Sequence, residues 1–144
     1  MIRLALQQSL LPSREQFSNE FAHVFAQEIN RAIPTSPNGI ITIAFVSDDE
    51  IHRINRLHRQ IDKPTDVLSF SYEDDPYRED TLGDIIISYA QATQQATGDV
   101  RHELLDLMVH GVLHILHYDH MTPPDAEQMF PLQDQLVSTL VPHL

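Results

Sequence analysis

Leu4 and Leu6 alternate with polar neighbours between Arg3 and Gln7, the two-residue period of a short strand. Pro12 is followed by Ser13-Arg14-Glu15-Gln16, which reads as a capping box, and Phe17, Phe21, Val24, Phe25 and Ile29 continue at helical spacing. A helix is therefore predicted from this box to a point before Pro34. Thr35-Ser36-Pro37-Asn38-Gly39 is a turn cluster, and the β-branched run Ile40 to Val46 predicts a buried strand. Ser47-Asp48-Asp49-Glu50 is a second capping box, opening a helix over Ile51, Ile54, Asn55 and Leu57 that Pro64 closes. Val67 to Ser71 reads as a strand with Val67 and Ser69 on one face and Leu68 and Phe70 on the other. Residues 72–81 are polar and acidic and predict a loop too long for a tight hairpin. Gly83 to Ser88 is a further strand, whose three successive Ile predict burial on both faces. Helical pattern returns at Tyr89 and breaks near Gly98. Asp99 then caps Val100 to Leu116, a segment apolar almost all round and hence a central helix. Thr122-Pro123-Pro124-Asp125 starts a last helix, where Met129 and Phe130 are expected to pack and Pro131 to introduce a kink.

The order β-α-β-α-β-β-α-α predicts an α+β fold: one domain over residues 1–144, a small four-stranded mixed sheet packed with four to five helices. No repeat, low-complexity run or linker interrupts it. At 144 residues the chain buries enough surface to fold without staples, and having no Cys it excludes disulfides, thiolate zinc fingers, iron–sulfur clusters and a Cys nucleophile. The longest apolar stretches fall short of the roughly 20 residues of a membrane helix. Met1-Ile2-Arg3-Leu4 leads into Gln7, Gln8 and Ser9 without the pattern of a signal peptide, so the expected location is the cytoplasm.

Charge sharpens the picture. A net charge of −12 argues against a broad nucleic-acid surface, because phosphate contacts need Lys and Arg. Yet Arg53, Arg56, Arg59 and Lys63 stand together among eleven acidic residues between Asp48 and Asp84, at spacings that share one helical face. Spacing alone reads this as a solvated face paired with local acids. Histidine is the second outlier: four of the nine lie between positions 110 and 120, where about 0.7 would fall by chance.

His110 and His114 lie four apart on the predicted central helix, one above the other, so their imidazoles can converge on one ion at about 2.0–2.1 Å. A third His just past the helix end completes a set that leaves one zinc position open for water, the pattern of a catalytic site. Buried imidazoles also need partners that this apolar run does not offer. The residue after His110 is Gly111, so the Glu that serves as base in H-E-x-x-H peptidases is missing. A metal-bound water could still act as hydroxide, with Arg59 or Arg56 stabilising charge on a phosphoryl oxygen.

His110, Gly111, Leu113, His114, Tyr118, Asp119 and His120 resemble the signature H-G-x-L-H-L-x-G-Y-D-H of the YbeY-type endoribonucleases, or rRNA maturation factors. Arg59 with Lys63-Pro64-Thr65-Asp66-Val67-Leu68-Ser69-Phe70, and Leu82-Gly83-Asp84-Ile85-Ile86-Ile87-Ser88, resemble two further family segments. The resemblance implies a metal-dependent RNase selective for single strands, acting in ribosomal RNA processing and ribosome quality control. It implies one Zn²⁺ held by His110, His114 and His120, with Arg59 facing the substrate. Arg59 and His114 are then the expected catalytic residues, and Arg59, Arg56 and Lys63 the expected RNA contacts. The implied partners are single-stranded, ribosomal RNA and the ribosome or a ribosomal subunit, with neither DNA nor membrane. The chain departs from the family at His117, which replaces a Gly suited to φ > 0. Should the helix instead continue, His117 competes with His120 as third ligand. Asp66 and Ser69 are candidates to orient a ligand or substrate, and Asp119 is expected as a turn residue. Two alternatives stand beside this reading: a zinc metallopeptidase-like hydrolase, and a non-catalytic RNA-binding factor of ribosome assembly using Arg53, Arg56, Arg59 and Lys63.

Overall fold

Strand β1 (Ile2–Gln7) pairs in parallel with β2 (Gly39–Val46), the parallel crossover being made by helix α1 (Asn19–Ala32). The computed structural model describes residues 1–73, 75–78 and 80–144; Asp74 and Glu79 of the expected acidic loop lie outside the described residues. Helix α2 (Asp48–Arg59) precedes β3 (Val67–Ser71) and β4 (Thr81–Ser88), and β4 returns to lie parallel to β2 with β3 antiparallel on its far side. The sheet order is β1-β2-β4-β3, which makes β3 an edge strand. Helices α3 (Tyr89–Gln95), α4 (Val100–Ile115) and α5 (Pro123–Leu140) complete the α+β domain, which has four strands and five α-helices among the described residues.

The register sets Ile43 of β2 beside Ile85 of β4, and Ile41, Ile43, Ile85 and Ile87 are all fully buried on one face of the sheet. That face receives α4, whose Leu104, Leu105, Met108, Val112 and Leu113 are inaccessible to solvent. Each such side chain contributes about 1.5–3 kcal/mol on burial, enough to make α4 the spine of the fold. The expectation that β4 is buried on both faces holds for one only: Ile86, pointing the other way, is partly exposed.

Two local expectations are corrected. The first helix is not capped at Ser13. Residues Ser13–Glu15 form a 3₁₀ turn, and α1 begins after Ser18, whose hydroxyl accepts from the Phe21 N–H. The cause is Gln8, whose amide both accepts from the Phe17 N–H (2.7 Å) and donates to the Phe17 carbonyl (2.8 Å), holding that segment extended while Phe17 stacks on Phe21 and Phe45. Lys63 does not share a helical face with Arg53, Arg56 and Arg59, because α2 stops at Arg59 and Gln60 turns left-handed at φ 57°. Helix α5 runs through Pro131 as one helix, and the carbonyl that Pro131 leaves without an N–H donor belongs to the exposed Glu127. Among the described residues no helix is long and apolar enough to cross a membrane.

Candidate metal centre

Gly111 decides how α4 lies on the sheet. A Cβ built at this position would come within 2.7 Å of Ile85 Cγ2, so the helix approaches β4 closely only because no side chain is there. The missing Glu of the peptidase motif thus has a steric reason: the position after His110 faces packed core. With Gly111 turned inward, His110 and His114 emerge half-buried on a neighbouring face, ring centroids 4.6 Å apart and Nε2 atoms 3.0 Å apart.

Helix α4 ends in a Schellman motif. The Tyr118 N–H donates to the Leu113 carbonyl (2.9 Å), the His117 N–H donates to the His114 carbonyl (3.0 Å), and His117 is left-handed at φ 74°. The reversal carries the chain back over the helix end. Asp119 fixes the returning turn by accepting from the His120 and Met121 N–H groups (2.7 and 3.3 Å), the turn role expected of it. The His120 ring then stands 5.3 Å from both His110 and His114. One nitrogen from each of His110, His114 and His120 lies within 4.8 Å of the others. His117 points elsewhere, its Nε2 lying 2.7 Å from Glu73. Of the two candidates for the third position, the turn thus brings His120 to the pair and sends His117 away.

The donor set fits a divalent ion of zinc type. Tetrahedral ligands at about 2.0–2.1 Å sit roughly 3.3–3.4 Å from one another, and one nitrogen of each ring lies within 4.8 Å of the others. Gln133 of α5, buried at 7% exposure, donates from its amide nitrogen to Asp106 (3.1 Å) and thereby presents its oxygen to His110 Nδ1 at 2.9 Å. His110 therefore carries its proton on Nδ1 and keeps the Nε2 lone pair for the cluster. His114 has its pKa pushed below the ordinary imidazole value by burial, then by His110 and His120, against smaller raising effects of Asp119 and the Tyr118 backbone. Two imidazole nitrogens 3.0 Å apart suit a cation between them. Phe130, expected to pack, is instead 43% exposed and stacks on the His120 ring at 5.5 Å, whereas Met129 is fully buried.

The three His open onto a groove of about 540 Å³ whose other wall is β3, with Arg59, Asp66, Ser69 and Ser71 in its lining. Arg59 is anchored to the sheet edge: Nη2 donates to the Ser69 carbonyl (2.7 Å) and the guanidinium lies 5.1 Å from the Phe70 ring centre. Asp66 accepts from the Val67 N–H and from Gln95. Arg56 and Lys63 are exposed and stand outside the groove lining, while Arg53 is tied to Glu50 at 2.6 Å, an interaction that lowers the Glu50 pKa. Gln133 was not among the candidates drawn from spacing, although its signal is present: it is a polar residue in the stripe Met129, Gln133, Leu136, Val137, Leu140 that α5 otherwise buries as hydrocarbon.

Known proteins resemble this chain over most of its length. A protein of Sulfurihydrogenibium sp. named Endoribonuclease YbeY is 40% identical over 139 residues, covering 91% of both chains. One of the same name from Bacillus subtilis is 41% identical over 109 residues, 67% of this chain and 69% of that one. The solution structure of a Thermotoga maritima protein superposes with a TM-score of 0.61 at 26% identity, over 97% of this chain and 89% of the other. The family model described as Endoribonuclease YbeY matches residues 5–141, nearly the whole molecule, and the chain therefore belongs to the YbeY endoribonuclease family.

Proposed function

We propose that this chain is a metal-dependent endoribonuclease that cuts single-stranded RNA, ribosomal RNA in particular, during rRNA maturation and ribosome quality control in the cytoplasm, with Zn²⁺ as its ion. One observation carries the reading: three imidazoles gathered within 4.8 Å open onto a groove whose described lining holds Arg59 as its one Lys or Arg. His110, His114 and His120 hold the ion, and when bound it supplies Lewis-acid chemistry at the phosphodiester.

The chain's own residues do the rest. Arg59 uses one N–H on the Ser69 carbonyl, which leaves further donors of its planar fork for a phosphate oxygen. Because that anchor is backbone, the guanidinium is already oriented before substrate arrives, and its charge is aimed where negative charge develops. Arg56 and Lys63 meet phosphates that flank the cut. An acidic body does not oppose this, since single strands need only a local positive path.

The test is cleavage of single-stranded ribosomal RNA fragments by purified protein with its metal assayed, beside His114→Ala and Arg59→Ala. The expected result is near one metal per chain in the parent, loss of metal and cleavage in His114→Ala, and a roughly 10²–10³-fold slower rate in folded, metal-loaded Arg59→Ala. Undiminished cleavage by metal-free His114→Ala would overturn the proposal. RNA bound but never cut, with affinity indifferent to metal removal, would make the protein an assembly factor. Metal-dependent cleavage of a peptide library would move it to the peptidases.

A further inference from the structure

Asp106 and His110 occupy successive turns of α4, and Gln133 reaches across from α5 to touch both. A buried hydrogen-bonded Gln can be exchanged for hydrocarbon at little cost only where its polar partners are exchanged with it. Here its two amide ends are used in a fixed direction. The Asp106 carboxylate can only accept, so Gln133 must turn Nε2 towards it and Oε1 towards His110, and His110 must answer with Nδ1–H. We propose that Asp106 and Gln133 form a relay that holds His110 in the tautomer offering Nε2 to the metal, with Gln133 as a positioning residue of the site and not a clip between helices. The proposal rests on the metal-dependent reading above and extends it to two residues that touch neither substrate nor ion.

The physical basis is tautomer selection. A free imidazole distributes its proton between both nitrogens, and a ring protonated on Nε2 cannot ligate from that atom. The relay removes this competition and locks the ring angle, while the carboxylate behind it makes Nε2 a better donor. Its direction yields a test that mere packing does not pass. Replacing Gln133 by Met keeps the volume but deletes the relay. Exchanging polarity, with Gln133→Glu and Asp106→Asn together, rebuilds it: the amide introduced on α4 donates to the carboxylate introduced on α5, which again accepts from His110 Nδ1–H.

The experiment measures Zn²⁺ affinity by competition with a chromophoric chelator, and the His110 tautomer by ¹⁵N NMR of the metal-free full-length protein, in the parent and both variants. The expected result is an Nδ1–H tautomer in the parent, a shift towards Nε2–H with an affinity loss of about 10–100-fold in Gln133→Met, and recovery of both properties in the double exchange. Circular dichroism establishes that each variant is folded, and should Gln133→Met fail to fold, the double exchange still decides. Parental affinity and tautomer in folded Gln133→Met, or a double exchange as weak as a chain without the relay, would overturn the proposal. If the parent takes up no Zn²⁺, the metal-dependent reading fails by itself, and the tautomer in parent and variants still tests the relay.

Discussion

His117 carries a local conformational cost, since a non-glycine residue in the left-handed region is disfavoured by roughly 1–2 kcal/mol. What it gains is a surface contact with Glu73 between half-exposed side chains, the kind of pair that contributes about 0–1 kcal/mol. His117→Gly is therefore expected to leave stability unchanged or raise it by about 1 kcal/mol in urea denaturation, and a loss of that size would sink the argument. The resemblance to a family pattern with Gly there made the backbone conformation legible. The direction of the side chain was not, because it depends on a loop more than forty positions away in sequence. His114 carries a second expectation at this scale. Its folded pKa lies below the unfolded value of about 6.5, so the unfolded chain binds the proton more readily. Its contribution is fully present above pH 6.5 and is lost as the pH falls through the folded value. The thermal midpoint of the metal-free protein should drop on acidification from about pH 7.5 to 5.5, and His114→Gln should flatten part of that drop; an identical profile in both proteins would refute the assignment.

At the scale of elements, short-range signals were reliable where nothing distant competed with them. The caps at Ser47, Asp99 and Thr122 stand where the sequence pattern puts them, each accepting a first-turn N–H. Ser13 carries the box pattern, yet it is Ser18 that caps the helix, because the Gln8 amide holds Phe17 extended between them. Ser18→Ala is accordingly expected to cost about 1 kcal/mol in chemical denaturation while Ser13→Ala changes stability by less than about 0.5 kcal/mol. Equal losses would return the cap to Ser13. Gly111 belongs to the same scale. Its identity was read as a missing catalytic Glu, whereas its cause is the contact with Ile85, a residue on a strand 26 positions earlier.

For the whole molecule, the net charge of −12 sets the sign of the field and the site works against it locally. Arg59 lines the groove, while Arg56 and Lys63 are exposed outside its lining. If these make the phosphate contacts, log affinity for single-stranded RNA should fall against log salt with a slope of about −2. A slope steeper than about −4 would require a second basic surface, and one near zero would remove the phosphates from recognition.

The linear pattern was enough to establish most helices and strands, the α+β class, the exclusion of thiol chemistry, and the His110–His114 pair, which one turn of helix is sufficient to create. All of these depend on bond geometry, solvent exclusion and spacings of a few residues, which a chain of letters records. Folding in three dimensions was needed to place β3 at the edge where its Ser69 carbonyl holds Arg59, to return His120 and not His117 to the pair through the left-handed turn, and to set Gln133 against His110. Those contacts join residues brought together by packing, and the orientation of each polar group is set by the partners around it. A period in the chain shows which face is buried; only the assembled core shows what that face meets.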